Sequence, residues 1–343
     1  MTEPREHNRY LRQETLPQIG PEGQGLLGAA HVAVVGCGAL GCVSADLLAR
    51  AGVGRLTLID RDVVETVNLH RQTLFDQSQV GTPKAVAAHD RLVAVNPEID
   101  LAARIADVVP ANAEEIVGFG RPGAPAVLVD GTDNFETRFL LNDLSVKHGV
   151  ALVYGGGIGT SGAVAVFGLP EGPCVRCVFD GPPAPGSQPT CESAGVLGPV
   201  TAAVGARQAA LAIRAIVEPA WDDAALERFD LWAGVHTRVA LERDPDCACC
   251  VRERFEFLDS PEAPAEATLC GRDAVQIPAS GPVDLEALAA RLGGSFAAGP
   301  FMLRGAIEDG RYELTVFGDG RAIVRGTRDP AEARTVHARY VGS

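Results

Sequence analysis

The chain has 343 residues, 46% of them apolar, which is ample for a sizeable core in one large α/β domain or two domains. Its formal net charge of −14 leaves no basic footprint for nucleic acid or an anionic membrane. The polar opening is unlike a signal peptide and no run of about 18 apolar residues offers a membrane span, so a cytoplasmic protein is expected.

Nine cysteines in such a setting point to metal binding or thiol chemistry rather than to a disulfide framework. Between residues 32 and 240 short β-branched runs alternate with helix-length periodic segments, the pattern of parallel strands with crossover helices. Residues 32–35 and 56–59 read as the first two buried strands. Gly36-Cys37-Gly38-Ala39-Leu40-Gly41 stands between them. Glycines that follow a strand and open a helix let backbone N–H groups and the helix dipole hold phosphates. Asp60 ends the second strand about 20 residues on, where an acid bonds a ribose hydroxyl. An NAD-dependent dehydrogenase has the same features up to this point.

Residues 84–94 read as a helix, 126–129 as a strand, and Phe135–His148 as a helix that Asp133 is also suited to cap. Residues 163–167 read as a strand and 196–217 as a buried, Ala-rich helix. Cys174 and Cys177 form one C-x-x-C pair and Cys247 and Cys250 a second, the spacing expected for a closed, structural tetrahedral zinc site. A redox-active dithiol is the alternative, but such pairs do not come doubled. Residues 259–266 have linker composition. Beyond them, 284–292 reads as a helix, Tyr312–Phe317 and 322–324 as a hairpin around Gly318-Asp319-Gly320, and Pro330–Tyr340 as a closing helix. A small α+β domain over 267–343 follows.

Asn68, Arg71 and Gln72 fall in Asn68-Leu69-His70-Arg71-Gln72, Lys84 in Gly81-Thr82-Pro83-Lys84, and Asp133 in Thr132-Asp133-Asn134. With Asn8-Arg9-Tyr10-Leu11-Arg12-Gln13 and the segment around Cys191, these resemble the motifs of the ThiF/MoeB/HesA family, related to ubiquitin-activating enzymes. The resemblance covers roughly residues 8 to 257. It implies a Rossmann-like, doubly wound α/β fold over 1–258, with a largely parallel sheet and an antiparallel extension. It also implies ATP-dependent adenylation of the C-terminal Gly-Gly carboxylate of a ubiquitin-like sulfur-carrier protein, with release of pyrophosphate.

By the same resemblance Gly36, Gly38, Gly41, Asp60, Asn68, Arg71, Gln72, Lys84, Asp133 and Asn134 would bind the nucleotide. Arg71 and Asn68 would meet the β- and γ-phosphates, Lys84 the α-phosphate, and Asp133 would hold magnesium. Arg12 would act across a homodimer on the partner's phosphates. Cys191 would form a covalent link to the carrier or be a loop cysteine without duty. Cys249 would not be a zinc ligand, and Cys37, Cys42 and Cys270 would be structural. The sulfur donor, a cysteine desulfurase or rhodanese, would be a separate protein. Thiamine, molybdopterin and tRNA-thiolation carriers share the terminal Gly-Gly, so the pathway stays open. So do two other readings, a catalytically silent partner of another adenylating subunit and an NAD-dependent dehydrogenase.

Overall fold

In the computed structural model, residues 8–183, 191–260, 267–269, 273–278, 281–293 and 296–342 are described. After a one-turn helix α1 (Leu11–Glu14) and α2 (Gly20–Ala29), the chain enters β1 (His31–Val35), which is buried along its whole length. A strand covered on both faces reads as a nearly continuous apolar run, and after His31 this one does. Helices and strands then alternate through α3 (Ala39–Ala51), β2 (Arg55–Asp60), α4 (Lys84–Val95), β3 (Asp100–Ile105), α5 (Ala113–Val117), β4 (Val127–Asp130), α6 (Phe135–His148) and β5 (Ala151–Ile158).

Strands β3, β2, β1, β4 and β5 lie side by side in that order and run parallel. The order reverses between β1 and β4, which opens a crevice at the carboxyl ends of these two strands. The expected antiparallel extension is present. It consists of β6 (Ser161–Phe167), β7 (Ala225–Asp230) and β8 (Val235–Ala240), with a short α7 (Cys191–Ala194) and the long α8 (Gly198–Val217) between β6 and β7. One core contains Leu48 of α3 and Val204 and Leu211 of α8. The other contains Phe139, Leu141 and Leu144 of α6.

Helix α8 is long and apolar enough to cross a membrane by composition alone. It packs instead on α3 and on β5 and β6. Gly205 lies so near α3 that an added Cβ would stand 2.7 Å from the Leu40 carbonyl oxygen. The helix begins two residues later than the sequence pattern implies, because Val196 pairs with Gly159 in an isolated bridge.

The chain divides into two compact units after Ser260. The second contains β9 (Ala267–Leu269), β10 (Ala274–Ile277), α9 (Leu285–Leu292), β11 (Phe296–Ala298), β12 (Met302–Ile307), β13 (Tyr312–Phe317), β14 (Ala322–Arg325) and α10 (Pro330–Tyr340). Its antiparallel sheet has the order β11-β12-β13-β14-β10-β9. Val275, Leu288, Leu314, Val324 and Val336 share its core. Asp284 and Asp329 cap α9 and α10 by accepting backbone N–H bonds. Cys270 lies outside the described residues.

Candidate active site

Glycines make the turn after β1 possible, each for a different reason. Gly36 has φ +92°, and a Cβ there would stand 2.6 Å from the Gly131 carbonyl carbon. A Cβ on Gly41 would meet the Gly36 oxygen at 1.8 Å. The ends of β1 and β4 can touch only because these side chains are missing. Gly38 is different, since a Cβ there would meet nothing nearer than the Gly131 oxygen at 3.8 Å. The fold does not demand glycine at this position. Its bareness keeps clear the space in front of the first turn of α3, where N–H groups and the helix dipole favour an anion.

Asp60 closes β2 and is buried. One carboxylate oxygen accepts the Cys37 N–H at 2.7 Å and the other accepts the Asp62 N–H at 2.7 Å. Burial pushes its pKa up, while the positive charge of Lys84 works the other way. Lys84 is the first residue of α4 and is itself buried, with Nζ 3.1 Å from Asp62 Oδ2. Its charge is also felt at Cys37 and Cys42. Burial raises both of these thiols, that of Cys42 to about 12, so they are inert packing groups, in agreement with their structural reading.

The segment from Thr66 to Phe75 runs beside this corner, and the Leu74 N–H points at the Cys42 sulfur. Asn68 and Gln72 are buried, and their side-chain oxygens have no hydrogen-bond partner among the described residues. Arg71, half-buried between them, donates from Nη1 to the Val67 carbonyl at 3.1 Å and to His70 Nε2 at 2.7 Å. The start of α8 closes this side, as a Cβ on Gly198 would come within 3.1 Å of the His70 carbonyl oxygen.

Asp133 follows β4 and is exposed, within electrostatic reach of Arg61 and Arg138. It does not cap α6, contrary to the second role the sequence offered it. Asn134 takes that place, its Oδ1 accepting the Thr137 N–H at 2.8 Å, because the helix starts at the very next residue. The Asn134 side-chain oxygen is therefore committed to the backbone, whereas the Asp133 carboxylate is not.

A buried ion pair at the end of β4 was not legible in the sequence. Asp130 accepts from Arg138 Nε at 2.7 Å and from the Thr132 hydroxyl at 2.6 Å, and Arg138 lies over the Tyr154 ring at 4.6 Å. This pair fixes the loop that carries Asp133. Its only trace in the sequence is an Asp at a strand end and an Arg in the following helix, which is too common to single out.

Arg12 is exposed on α1 and is not brought to this chain's glycine turn. Its neighbours are tied to the far end of α3. Gln13 Nε2 donates to the Ala51 carbonyl at 2.9 Å, and the Tyr10 hydroxyl accepts from Asn96 Nδ2 at 2.8 Å. The 13 residues of α3 put about 20 Å between that end and Gly38, well beyond the reach of one arginine. Cys191 opens α7, its side chain outside the described residues.

The four cysteines of the two C-x-x-C pairs converge. Cys174 and Cys247 have sulfurs 3.6 Å apart, Cys177 and Cys250 3.5 Å apart, and all four lie within 4.8 Å of one another. A tetrahedral cation with metal–sulfur bonds of about 2.3 Å needs sulfur–sulfur edges of roughly 3.8 Å, so the donor set fits such an ion. Three of the four thiols, Cys174, Cys177 and Cys250, are shifted up, whereas Cys247 is lowered, its burial outweighed by hydrogen bonds from the Cys250 and Cys249 backbone. Hydrogen bonding to Cys249 and burial push Cys174 up, and burial raises Cys177 to about 11.

Cys249 stands beside the four, within hydrogen-bonding reach of Cys174, but its sulfur is also held by α6. It lies 3.3 Å from Asn142 Nδ2 and donates to Asp143 Oδ1 at 3.4 Å. These two α6 residues are further anchors that the sequence did not reveal. Asn142 Oδ1 accepts the Val175 N–H at 2.7 Å, and Asp143 Oδ2 accepts the Phe257 and Leu258 N–H groups at 2.8 and 3.2 Å.

The sequence profile of the ThiF family matches residues 10–249. This chain belongs to the ThiF family. The sulfur carrier protein ThiS adenylyltransferase of Bacillus subtilis is 36% identical to it over 344 residues, covering 97% of this chain and 99% of that protein. The sulfur carrier protein adenylyltransferase of Thermus thermophilus is 42% identical over 251 residues, or 71% of this chain and 91% of that protein. Among solved structures, E. coli MccB with ATP superposes with a TM-score of 0.60 at 21% identity, over 73% of this chain and 76% of that one. That likeness shows the same Rossmann-type fold. The Bacillus match continues through the second unit of this ThiF-family chain, so that unit too has a counterpart in a relative.

Proposed function

We infer that this ThiF-family protein is an ATP-dependent adenylyltransferase that activates the C-terminal Gly-Gly carboxylate of a ubiquitin-like sulfur-carrier protein. The observation that carries the reading is the open space at Gly38 beside the charge of buried Lys84, with buried amide oxygens of Asn68 and Gln72 nearby in sequence that find no partner among the described residues. That corner is built for a polyanion the protein does not itself supply. The full-length likeness to a ThiS adenylyltransferase names the reaction, and neither a silent subunit nor an NAD-dependent dehydrogenase is favoured by the comparisons.

In the reaction one carboxylate oxygen of the terminal Gly attacks the α-phosphorus. The bond from that phosphorus to the bridging oxygen breaks, and pyrophosphate leaves with growing negative charge. Lys84, Arg71 and the first N–H groups of α3 meet that charge without reorganising, because packing already fixes them. Asp60 takes the ribose hydroxyls with the lone pairs its two backbone N–H bonds leave over. Magnesium, held by Asp133 together with the phosphates, supplies charge neutralisation when bound. The exposed Asp133 carboxylate, for which no hydrogen bond is seen among the described residues, suits that role.

Arg12 lies too far from its own glycine turn to serve it. We place it on the phosphates of a partner subunit in a symmetric dimer, where a planar guanidinium fits phosphate oxygens. Zinc at Cys174, Cys177, Cys247 and Cys250 is structural, since four thiolates leave no open position. Cys191 is the candidate for a covalent link to the carrier, and the sulfur itself comes from a separate desulfurase or rhodanese. Residues 267–343 are accessory, because the adenylation motifs are complete before them.

Pyrophosphate exchange tests the reading. Purified protein with a cognate carrier should exchange labelled pyrophosphate into ATP, and deleting the carrier's last Gly should abolish the exchange. Exchange that proceeds equally without any carrier would overturn the inference.

A further inference from the structure

We propose that Trp232, in the turn between β7 and β8, is the anchor on which the body of the carrier protein docks while its C-terminal tail reaches the nucleotide corner. The proposal rests on the adenylation reading above and extends it to the surface that holds the partner.

The turn presents an indole to solvent. Trp232 keeps 81% of its surface exposed, and Leu231, Val235 and Val239 of the same hairpin are exposed as well. Val235 and Val239 stand four residues apart on β8, the outermost strand of the sheet, and so share one face. A tryptophan offers one of the largest apolar surfaces a chain can bury, so an exposed one grouped with other apolar side chains marks a place where a partner sits.

The fold holds this turn open. Asp230 Oδ1 accepts the Trp232 and Ala233 N–H groups at 2.9 and 2.8 Å, and Oδ2 accepts the Thr160 and Ser161 hydroxyls, both at 2.9 Å. One carboxylate thus ties the Trp232 turn to the turn between β5 and β6. A side chain presented on a preorganised turn adds little ordering cost to binding, which suits an interface anchor.

The position of the turn selects the occupant. β5 runs parallel to β4, Ile158 at its end pairs with Ser161, and Ser161 pairs with Asp230. The β7–β8 turn therefore stands on the same edge of the sheet as the carboxyl ends of β1 and β4. It is also continuous with the nucleotide corner. Gly159 in the β5–β6 turn exchanges backbone hydrogen bonds with Gly195 and Leu197, and the next residue, Gly198, stands against His70. In the order β1-β4-β5-β6-β7 the turn is four strands from the glycine turn, roughly 19 Å at about 4.8 Å per strand, which about six extended residues span. A folded carrier seated on Trp232 delivers its last Gly to the α-phosphate through an extended tail.

Charge points the same way. Arg228 is exposed on the face of Val235 and Val239, opposite Thr237 in the ladder, and makes no ion pair among the described residues. In a chain of net charge −14 such a patch fits a partner whose apolar face carries an acidic group.

The chain holds two tryptophans, and the other, Trp221, is buried, so acrylamide quenching of fluorescence reports on Trp232. The probe is a tryptophan-free carrier lacking its last Gly, which can dock without being adenylated, and its binding should shield Trp232 from the quencher. In pyrophosphate exchange with the intact carrier, Trp232→Ala should raise the carrier KM about thirtyfold, the scale of an interface anchor, while kcat and magnesium–ATP affinity stay within about twofold of wild type. Trp232→Phe, which keeps an aromatic face, should recover most of the loss. An unchanged carrier KM would overturn the proposal. So would an equal loss of kcat or of ATP affinity, since the turn would then be part of the scaffold. A variant that loses only its dimeric state would overturn it in favour of a second copy of this chain. Wild-type protein that shields Trp232 yet shows no carrier-dependent exchange would overturn the adenylation reading and leave the docking surface standing; carrier-dependent exchange with Trp232 still open to the quencher would do the opposite.

Discussion

Two buried asparagines in the same unit show how a finished region differs from an unfinished one. Asn142, in the middle of α6, uses both ends of its amide: Oδ1 accepts the Val175 N–H and Nδ2 lies against Cys249 and Asp143. Asn68, in the segment after β2, is also buried but has an oxygen with no partner among the described residues. Asn142 binds the cysteine cluster to the helix behind it. Asn68 and Gln72 leave a buried cost that only something from outside can offset. The contrast separates a region that the chain completes for itself from one that a ligand completes. Changes in the first should act on stability, and changes in the second on activity.

The largest effect is expected at Asp133. Asp133→Ala should lower pyrophosphate exchange by about 100-fold or more with little change in melting temperature, since its exposed carboxylate makes no hydrogen bond among the described residues but would meet charge in the transition state. A near-normal rate would remove Asp133 from the chemistry. The same variant sharpens the assignment of Arg12. Arg12→Ala and Asp133→Ala homodimers should both be inactive, and subunit exchange between equal amounts should restore roughly one quarter of the sites. Confirmed heterodimers without recovery would mean that Arg12 does not act across a dimer.

At the cysteine cluster the expected effect is on metal content and stability. The wild type should contain one zinc per chain. Cys174→Ser should release it and lower the melting temperature by about 5 °C or more, because a bound structural ion stabilises only the folded site. Metal analysis that finds none in the wild type would end the assignment, and a variant that keeps its zinc would exclude Cys174 as a ligand.

Much of both regions is legible in the sequence, for identifiable physical reasons. Helix α6 was read from residue 135 to 148 because apolar spacing and a polar cap stand next to each other in the chain. The glycines and the two C-x-x-C pairs were legible because their chemistry depends on short spacing. What escaped notice depends on which strands become neighbours. Asp107 meets Arg61 only because β3 lies beside β2, and Asp143 receives the Phe257 and Leu258 amides only after more than a hundred residues of intervening fold. The three-residue strands β9 and β11 are too short to show any period at all.

The smallest expected effect is the most discriminating, and it returns to Asn68. If its unpaired amide is a native-state cost kept for a ligand, Asn68→Ala removes a buried polar group that gains nothing in the empty protein. An unsatisfied buried acceptor costs about 1 to 3 kcal/mol, and the packing lost with a truncated side chain cancels part of the gain. The melting temperature without nucleotide should therefore stay level or rise, by no more than about 3 °C in a unit of this size. Affinity for ATP should fall about tenfold, as expected for one lost hydrogen bond to a charged phosphate oxygen. The extra thermal stabilisation that ATP gives the wild type should shrink in the variant, because ligand stabilisation scales with occupancy relative to Kd. Asn142→Ala should do the reverse, lowering the melting temperature by several degrees and leaving ATP affinity unchanged. If both asparagines instead destabilise the empty protein alike, Asn68 is part of the scaffold, and the division between a self-completed and a ligand-completed region does not hold.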